Sequence, residues 1–135
     1  MEIKEREYAN QVELNVREIS FKMDKTGEYV DKISFETTDG YKITYKPKIN
    51  KTERIRGIAV NKVTQCTFDE VPKKVFELSE ALNKLGIVKL YANYNIWNTQ
   101  VDGKAATYRY IMSESMLNEW KIIPETPIKE ENIAK

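Results

Sequence analysis

The side chains best suited to chemistry in this 135-residue chain are cations and aromatic rings, and they fall in two stretches. Between positions 41 and 66 stand Lys42, Lys46, Lys48, Lys51, Arg54, Arg56 and Lys62 against Glu53 alone. The first 40 residues hold six Lys/Arg against ten Asp/Glu, so the overall charge of +1 conceals a cationic block. Such a block makes a local positive potential without general stickiness, which suits a polyanion or an acidic protein surface. A solvated, lysine-rich loop has the same composition. Tyr41 and Tyr45 are interleaved with the lysines, and Tyr91, Trp97, Tyr108 and Tyr110 follow in a later stretch with Asn93 and Asn95. Lysine and arginine can track phosphates, rings give unpaired bases a face to stack on at roughly 1–3 kcal/mol each, and amides can bond base edges. Rings so placed also serve plain core packing, here beneath a final helix and Trp120.

Catalytic chemistry is poorly provided for. The chain has no histidine and one cysteine, Cys66. That removes Ser/His and Cys/His pairs, His-ligated zinc and the usual proton shuttle, and it leaves no internal disulfide. There is no Gly-rich phosphate loop, and the five glycines fall where turns or helix ends need them. Asp24, Asp31, Asp39 and Asp102 have the chemistry of a divalent-metal site, but most lie at turns, where Asp bonds its own backbone. The expectation is a binding protein rather than an enzyme, with no catalytic residues, no metal and no cofactor.

The elements that must position these side chains read mostly as β-structure. Val12, Leu14 and Val16 alternate with polar residues, the phase slips at Arg17-Glu18, and Ile19, Phe21 and Met23 resume it. That is the pattern of one long strand bent by a bulge. Asp24-Lys25-Thr26-Gly27 and Asp39-Gly40 are turn sequences, bounding a second strand over about Tyr29–Thr37 with Ile33 and Phe35 in the core. Tyr41, Ile43 and Tyr45 alternate with Lys42, Thr44 and Lys46 in a third strand that Pro47 stops. Residues 47–57 read as a basic loop, and the β-branched content from Ile58 to Phe68 as a further strand. Val71, Val75, Leu78, Leu82 and Leu85 step by four and three, the stripe of a helix that starts near Asp69 or Pro72 and ends at Gly86.

Ile87–Thr99, the Asp102-Gly103 turn and Lys104–Met112 make the clearest hairpin. With Asp102 and Gly103 as the central turn residues, Val101 faces Lys104, Trp97 faces Tyr108 and Asn95 faces Tyr110. Tyr91, Asn93, Asn95, Trp97, Tyr108 and Tyr110 then share one face. Leu90, Ala92, Tyr94, Ile96 and Ile111 share the other, the core side, with Arg109 opposite Ile96. Ser113 or Ser115 can cap a short helix running through Trp120. Residues 124–135, with Pro124, Pro127 and mixed charges, read as a flexible tail, leaving residues 1–123 as one globular domain.

The order of bulged strand, two further strands, helix and final hairpin resembles the oligonucleotide-binding (OB) fold, a five-stranded barrel with its helix between the third and fourth strands. The resemblance spans roughly residues 12–112, with Ile58–Phe68 as an addition to it. The expected fold class is mostly β with one main helix (α+β), an OB-like antiparallel barrel or strongly bent sheet in the order β-β-β-(β)-α-β-β, plus a short C-terminal helix. The resemblance implies that ligand crosses the face of strands two and three, flanked by the loops after strands one and four. Tyr41, Lys42, Tyr45 and Lys46 lie on the third strand, and Thr99–Lys104 is the last of those loops.

The function expected is non-catalytic binding of single-stranded DNA or RNA, with DNA favoured, by a monomer or a homodimer. The nucleic-acid-binding candidates are Tyr41, Lys42, Tyr45, Lys46, Lys48, Lys51, Arg54, Arg56, Tyr91, Trp97, Tyr108 and Tyr110. The alternative is a protein-binding module, an inhibitor or assembly factor, that sets the same basic loop against an acidic partner, since interfaces also enrich Tyr, Trp and Arg. No run approaches the roughly 18 apolar residues of a membrane span, and Met1–Glu5 lacks the apolar stretch of a signal peptide, so no membrane partner and a cytoplasmic location are expected. Plentiful Lys, Asn and Ile accord with an AT-rich genome, viruses and plasmids included.

Overall fold

The computed structural model of the protein describes residues 5–124, so the expected tail at 124–135 lies almost wholly outside the described residues. In chain order the strands are β1 (Arg6–Met23), β2 (Tyr29–Thr37), β3 (Lys42–Tyr45), β4 (Ile49–Ile55), β5 (Ile58–Thr64), β6 (Cys66–Thr67), β7 (Val88–Val101), β8 (Lys104–Ile111) and β9 (Lys121–Ile122). Two α-helices accompany them, α1 (Lys73–Leu85) and α2 (Glu114–Asn118). The fold class is mostly β with one main helix and a short C-terminal one, as the sequence leads one to expect.

At 18 residues, β1 is too long to serve a single neighbour. Its first half pairs with β7 and its second half with β2, and of the three register shifts in these pairings two put an extra residue into β1 itself. One falls where Val16 pairs with Thr37 but Glu18 pairs with Glu36, leaving Arg17 as the extra residue at the expected phase slip. The other falls between Ala9 and Val12, where Gln11 takes a φ of 51°. Asn10 is the one turn-favouring residue at that second bend, and no glycine or proline marks it.

From β1 the sheet continues through β2 to β3, then to β8 and β7, and β7 returns to β1. This closes a hydrogen-bonded ring of five strands. The ring is mixed rather than wholly antiparallel, because β3 and β8 run parallel from Ile43↔Arg109 to Tyr45↔Ile111. A parallel pair needs a long crossover, and the chain from Pro47 to Gly103 supplies one through the β4–β5 hairpin, α1 and β7. β6 adds to β2, and β9 to β7, at the margins.

Inside the ring lie Val16, Ile33, Phe35, Ile43, Leu90 and Ile111, with Val75 and Leu78 of α1 covering one side and Leu117 and Trp120 another. Helix α1 starts after Pro72 and stops at Gly86, whose φ of 78° lets its N–H reach the Leu82 carbonyl at 2.8 Å. Four of the five stripe residues pack inward, and Leu85 at the frayed end is exposed. In the β7–β8 hairpin Asp102 and Gly103 both have positive φ, as a type I′ turn requires, and the register is the one counted from the sequence. Ser113 Oγ caps α2 by accepting from the Met116 N–H at 3.2 Å, and the helix ends two residues before Trp120. Among the described residues no helix is long and apolar enough to cross a membrane.

The stretch expected to be a basic loop is β4. It pairs with β5 from Ile49↔Thr64 to Ile55↔Ile58 around an Arg56-Gly57 turn, forming a separate two-stranded ribbon. Its residues from 50 to 63 are all exposed, so neither strand needed the alternation by which a half-buried strand is recognised. Residues 66–68, expected to complete the further strand, instead divide between β6 and the start of a 3₁₀ turn, Phe68–Glu70.

Candidate nucleic-acid interface

On β3 the pleat turns Ile43 and Tyr45 into the core and leaves Lys42, Thr44 and Lys46 outside. On β8 it sends Tyr108 and Tyr110 outward. Together with Lys32 of β2 these side chains line an open groove of about 800 Å³ along the β3–β8 junction. Lys32, Lys42, Lys46 and Arg109 give the groove its charge, Tyr41, Tyr108 and Tyr110 give it rings, and no carboxylate lines it.

One end is held by a stack. The guanidinium of Arg109 lies 4.0 Å from the centroid of the Tyr41 ring, and Tyr41 shares a side-chain hydrogen bond with Tyr94. Burial, with that bond, pushes the Tyr41 phenol up to about 12. Arg109 has the inward parity of Ile111, but at this open end of the ring it reaches Tyr41 and the groove instead of the core. A second stack stands at the same end, where Tyr108 is level with Lys42. The Trp97 and Tyr108 ring centroids are 5.4 Å apart, and Arg6 lies over the Trp97 ring at 4.6 Å. Arg6 also donates to the Tyr110 hydroxyl at 3.4 Å. Tyr108 is 46% exposed, so its ring keeps an uncovered face.

The lysines are not equally engaged. Lys42 lies 3.9 Å from Glu36, which also ion-pairs with Arg17. With Lys42 itself exposed and the separation long, this pair is worth little. Among the described residues neither Lys32 nor Lys46 has an ion-pair partner.

Of the twelve candidates, the groove gathers Tyr41, Lys42, Lys46, Tyr108 and Tyr110, with Trp97 one ring behind. Tyr45 is a correction. It is 4% exposed and belongs to the core, where burial, followed by the charge of Glu114, pushes its phenol up to about 12. Tyr91 is exposed but stands elsewhere, in register between Glu13 of β1 and Lys121 of β9. Lys48 sits in a smaller depression beside the groove, and Lys51, Arg54 and Arg56 ride on the β4–β5 ribbon.

The amides differ from expectation too. Asn93 is buried, with Oδ1 accepting from the Gln11 N–H at 2.6 Å and Nδ2 donating to Glu119 at 3.0 Å. It fastens the second bend of β1 and, at 3% exposed, is closed to a base. The Asn95 amide is half-buried, with Nδ2 3.2 Å from the Met112 sulfur. Lys32, Arg109 and Arg6 are missing from the candidates. Lys32 could have been found by extending to the second strand the outward parity read on the third.

Among the described residues no cluster of three or more His, Cys, Asp or Glu is placed to hold a metal ion. The Cys66 thiol is buried and its ionisation is pushed up by that burial, away from the profile of a nucleophile. Comparison with protein-family models, curated proteins and solved structures finds no match.

The raised phenols have a consequence for stability. A group whose pKa is higher in the folded chain favours the protonated form there, so its contribution is complete below the unfolded value near 10 and is lost as pH climbs through about 12. In an alkaline titration followed by tyrosinate absorbance, two of the eight tyrosines should ionise only toward pH 12, as unfolding sets in. All eight ionising together near 10 would contradict the burial of Tyr41 and Tyr45.

Proposed function

We propose that the protein binds single-stranded nucleic acid, DNA in preference to RNA, without catalysis, and that the strand lies in the β3–β8 groove. One observation carries this reading. Four cations and three tyrosines converge on a single open groove free of carboxylates. Lys32, Lys42 and Lys46 meet phosphates, while Tyr108 and Tyr110 offer rings to bases. Being two apart on one strand, these tyrosines are spaced by roughly 6.6 Å, room for separate bases. Arg109, held flat on Tyr41, presents a guanidinium plane that serves either role.

The same reading takes the five-strand ring as an OB barrel. In support of it, α1 falls between the third and fourth strands of the ring, and the groove includes the outer sides of β2 and β3.

The test is a fluorescence titration with oligo-dT at about 50 mM salt, with duplex of the same length in parallel. Trp97 is stacked on Tyr108 and reports on the groove, whereas Trp120 is fully buried and silent. Quenching by oligo-dT and not by duplex is expected, with log affinity falling against log salt at a slope of about −3 for four phosphates. Neither quenching nor a mobility shift would end the proposal.

A further inference from the structure

We propose that the β4–β5 ribbon is a second contact for the same polyanion, an arm that extends the binding track beyond the groove. This rests on the groove's binding a single strand.

Three observations point the same way. First, β4 and β5 pair only with each other among the described residues, and residues 50–63 are all exposed, Val60 the least so of their large hydrophobics at 39%. A lone two-stranded hairpin is marginal in water, so its sequence is not explained by packing on the body. The cross-strand pair Ile55–Ile58 closes the tip and accounts for the exposed isoleucines there.

Second, the arm carries Lys51, Arg54, Arg56 and Lys62 against Glu53. Lys51 and Lys62 are register partners, directly opposite one another. Like charges so placed weaken a hairpin, and an anion between them turns the repulsion into a binding site. Arg54 donates to the Gly57 carbonyl at 3.2 Å, which holds it at the tip.

Third, the arm is continuous with the groove. Lys46 and Met112 line both the groove and the neighbouring depression, whose other walls include Lys48, Asn50 and Glu114. A strand leaving the groove past Lys46 therefore meets Lys48 and then the root of the arm. From Ile49 to Ile55 the arm reaches about 20 Å further.

The experiment compares the full chain with its K51Q/R54Q/R56Q/K62Q variant on oligo-dT of about 5 and about 20 nucleotides, lengths that bracket the usual site of such barrels. Both proteins should bind the short oligomer alike. On the long one the wild-type salt slope should be steeper by about 3, from four contacts at roughly 0.7 each. Between 50 and 200 mM salt that amounts to about a 50-fold greater loss of affinity for the wild type than for the variant. Equal slopes on the long oligomer, with the short one bound, would overturn the arm and leave the groove standing. That result is the one expected of an arm that grips a protein instead. Failure of the wild type to bind either length would overturn the groove reading and the arm with it.

Discussion

Replacing Tyr108 and Tyr110 together by alanine is expected to lower the affinity for oligo-dT more than any change of charge in the groove. Each base–ring stack is worth roughly 1–3 kcal/mol by alanine substitution, about 5- to 150-fold apiece. The two rings are neighbours on one strand face, so their losses should not add perfectly, but both bases lose their platform. Tyr91→Ala is the control. It is similarly exposed, at 40% against 46% for Tyr108, yet lies outside the groove, and it should leave the affinity within about twofold. Tyr108→Ala also uncovers one face of Trp97, so its emission should shift to the red before any ligand is added. Fluorescence anisotropy of labelled oligo-dT measures the affinities. Equal losses for the Tyr91 and Tyr108/Tyr110 variants would mean that the rings act through the fold and not through stacking.

Trp120→Ala should be the most damaging single change to the fold. The side chain is fully buried, its ring centroid lies 5.0 Å from that of Phe35, and its Nε1 donates to the Asn93 carbonyl at 3.0 Å. Truncating a buried tryptophan costs about 3–5 kcal/mol, a large part of the 5–15 kcal/mol that a domain has in all. Trp120→Phe separates the causes. It keeps much of the volume but orphans a carbonyl on a buried residue, which should cost about 1–3 kcal/mol. Urea denaturation followed by circular dichroism gives both values. A cost below about 1 kcal/mol for the alanine variant would show that the end of the chain is not a structural part of the ring.

The groove residues that sequence reasoning found and those it missed differ in one physical respect. Tyr108 and Tyr110 were placed because Asp102-Gly103 fixes the hairpin register, and a register fixes which side chains share a face. Lys42 and Lys46 were placed because Ile43 and Tyr45 alternate with them. That same alternation argues Tyr45 into the core, and only its place among lysines points to a ligand. Asn93 has the outward parity expected of it, but its burial depends on Gln11 and Glu119, which are far away in sequence and which no periodicity links to it. Arg109 shows the converse, an inward parity overruled because the ring is open at its end. The ribbon has the sequence of a loop because neither of its faces is buried in the core, and burial is what periodicity records. The parallel seam between β3 and β8 was invisible too, since it joins segments more than 60 residues apart with no local signal.

That seam has a mechanical consequence. Only three residue pairs, Ile43 to Tyr45 against Arg109 to Ile111, close the circle, and β3 is the shortest of its five strands. The two strands that meet there are also the walls of the groove. Whatever spans from Lys42 to Tyr110 therefore acts as a clasp across the weakest joint of the circle, and occupancy and closure become thermodynamically linked. A tightly held occupant would stiffen the whole hoop without touching its interior.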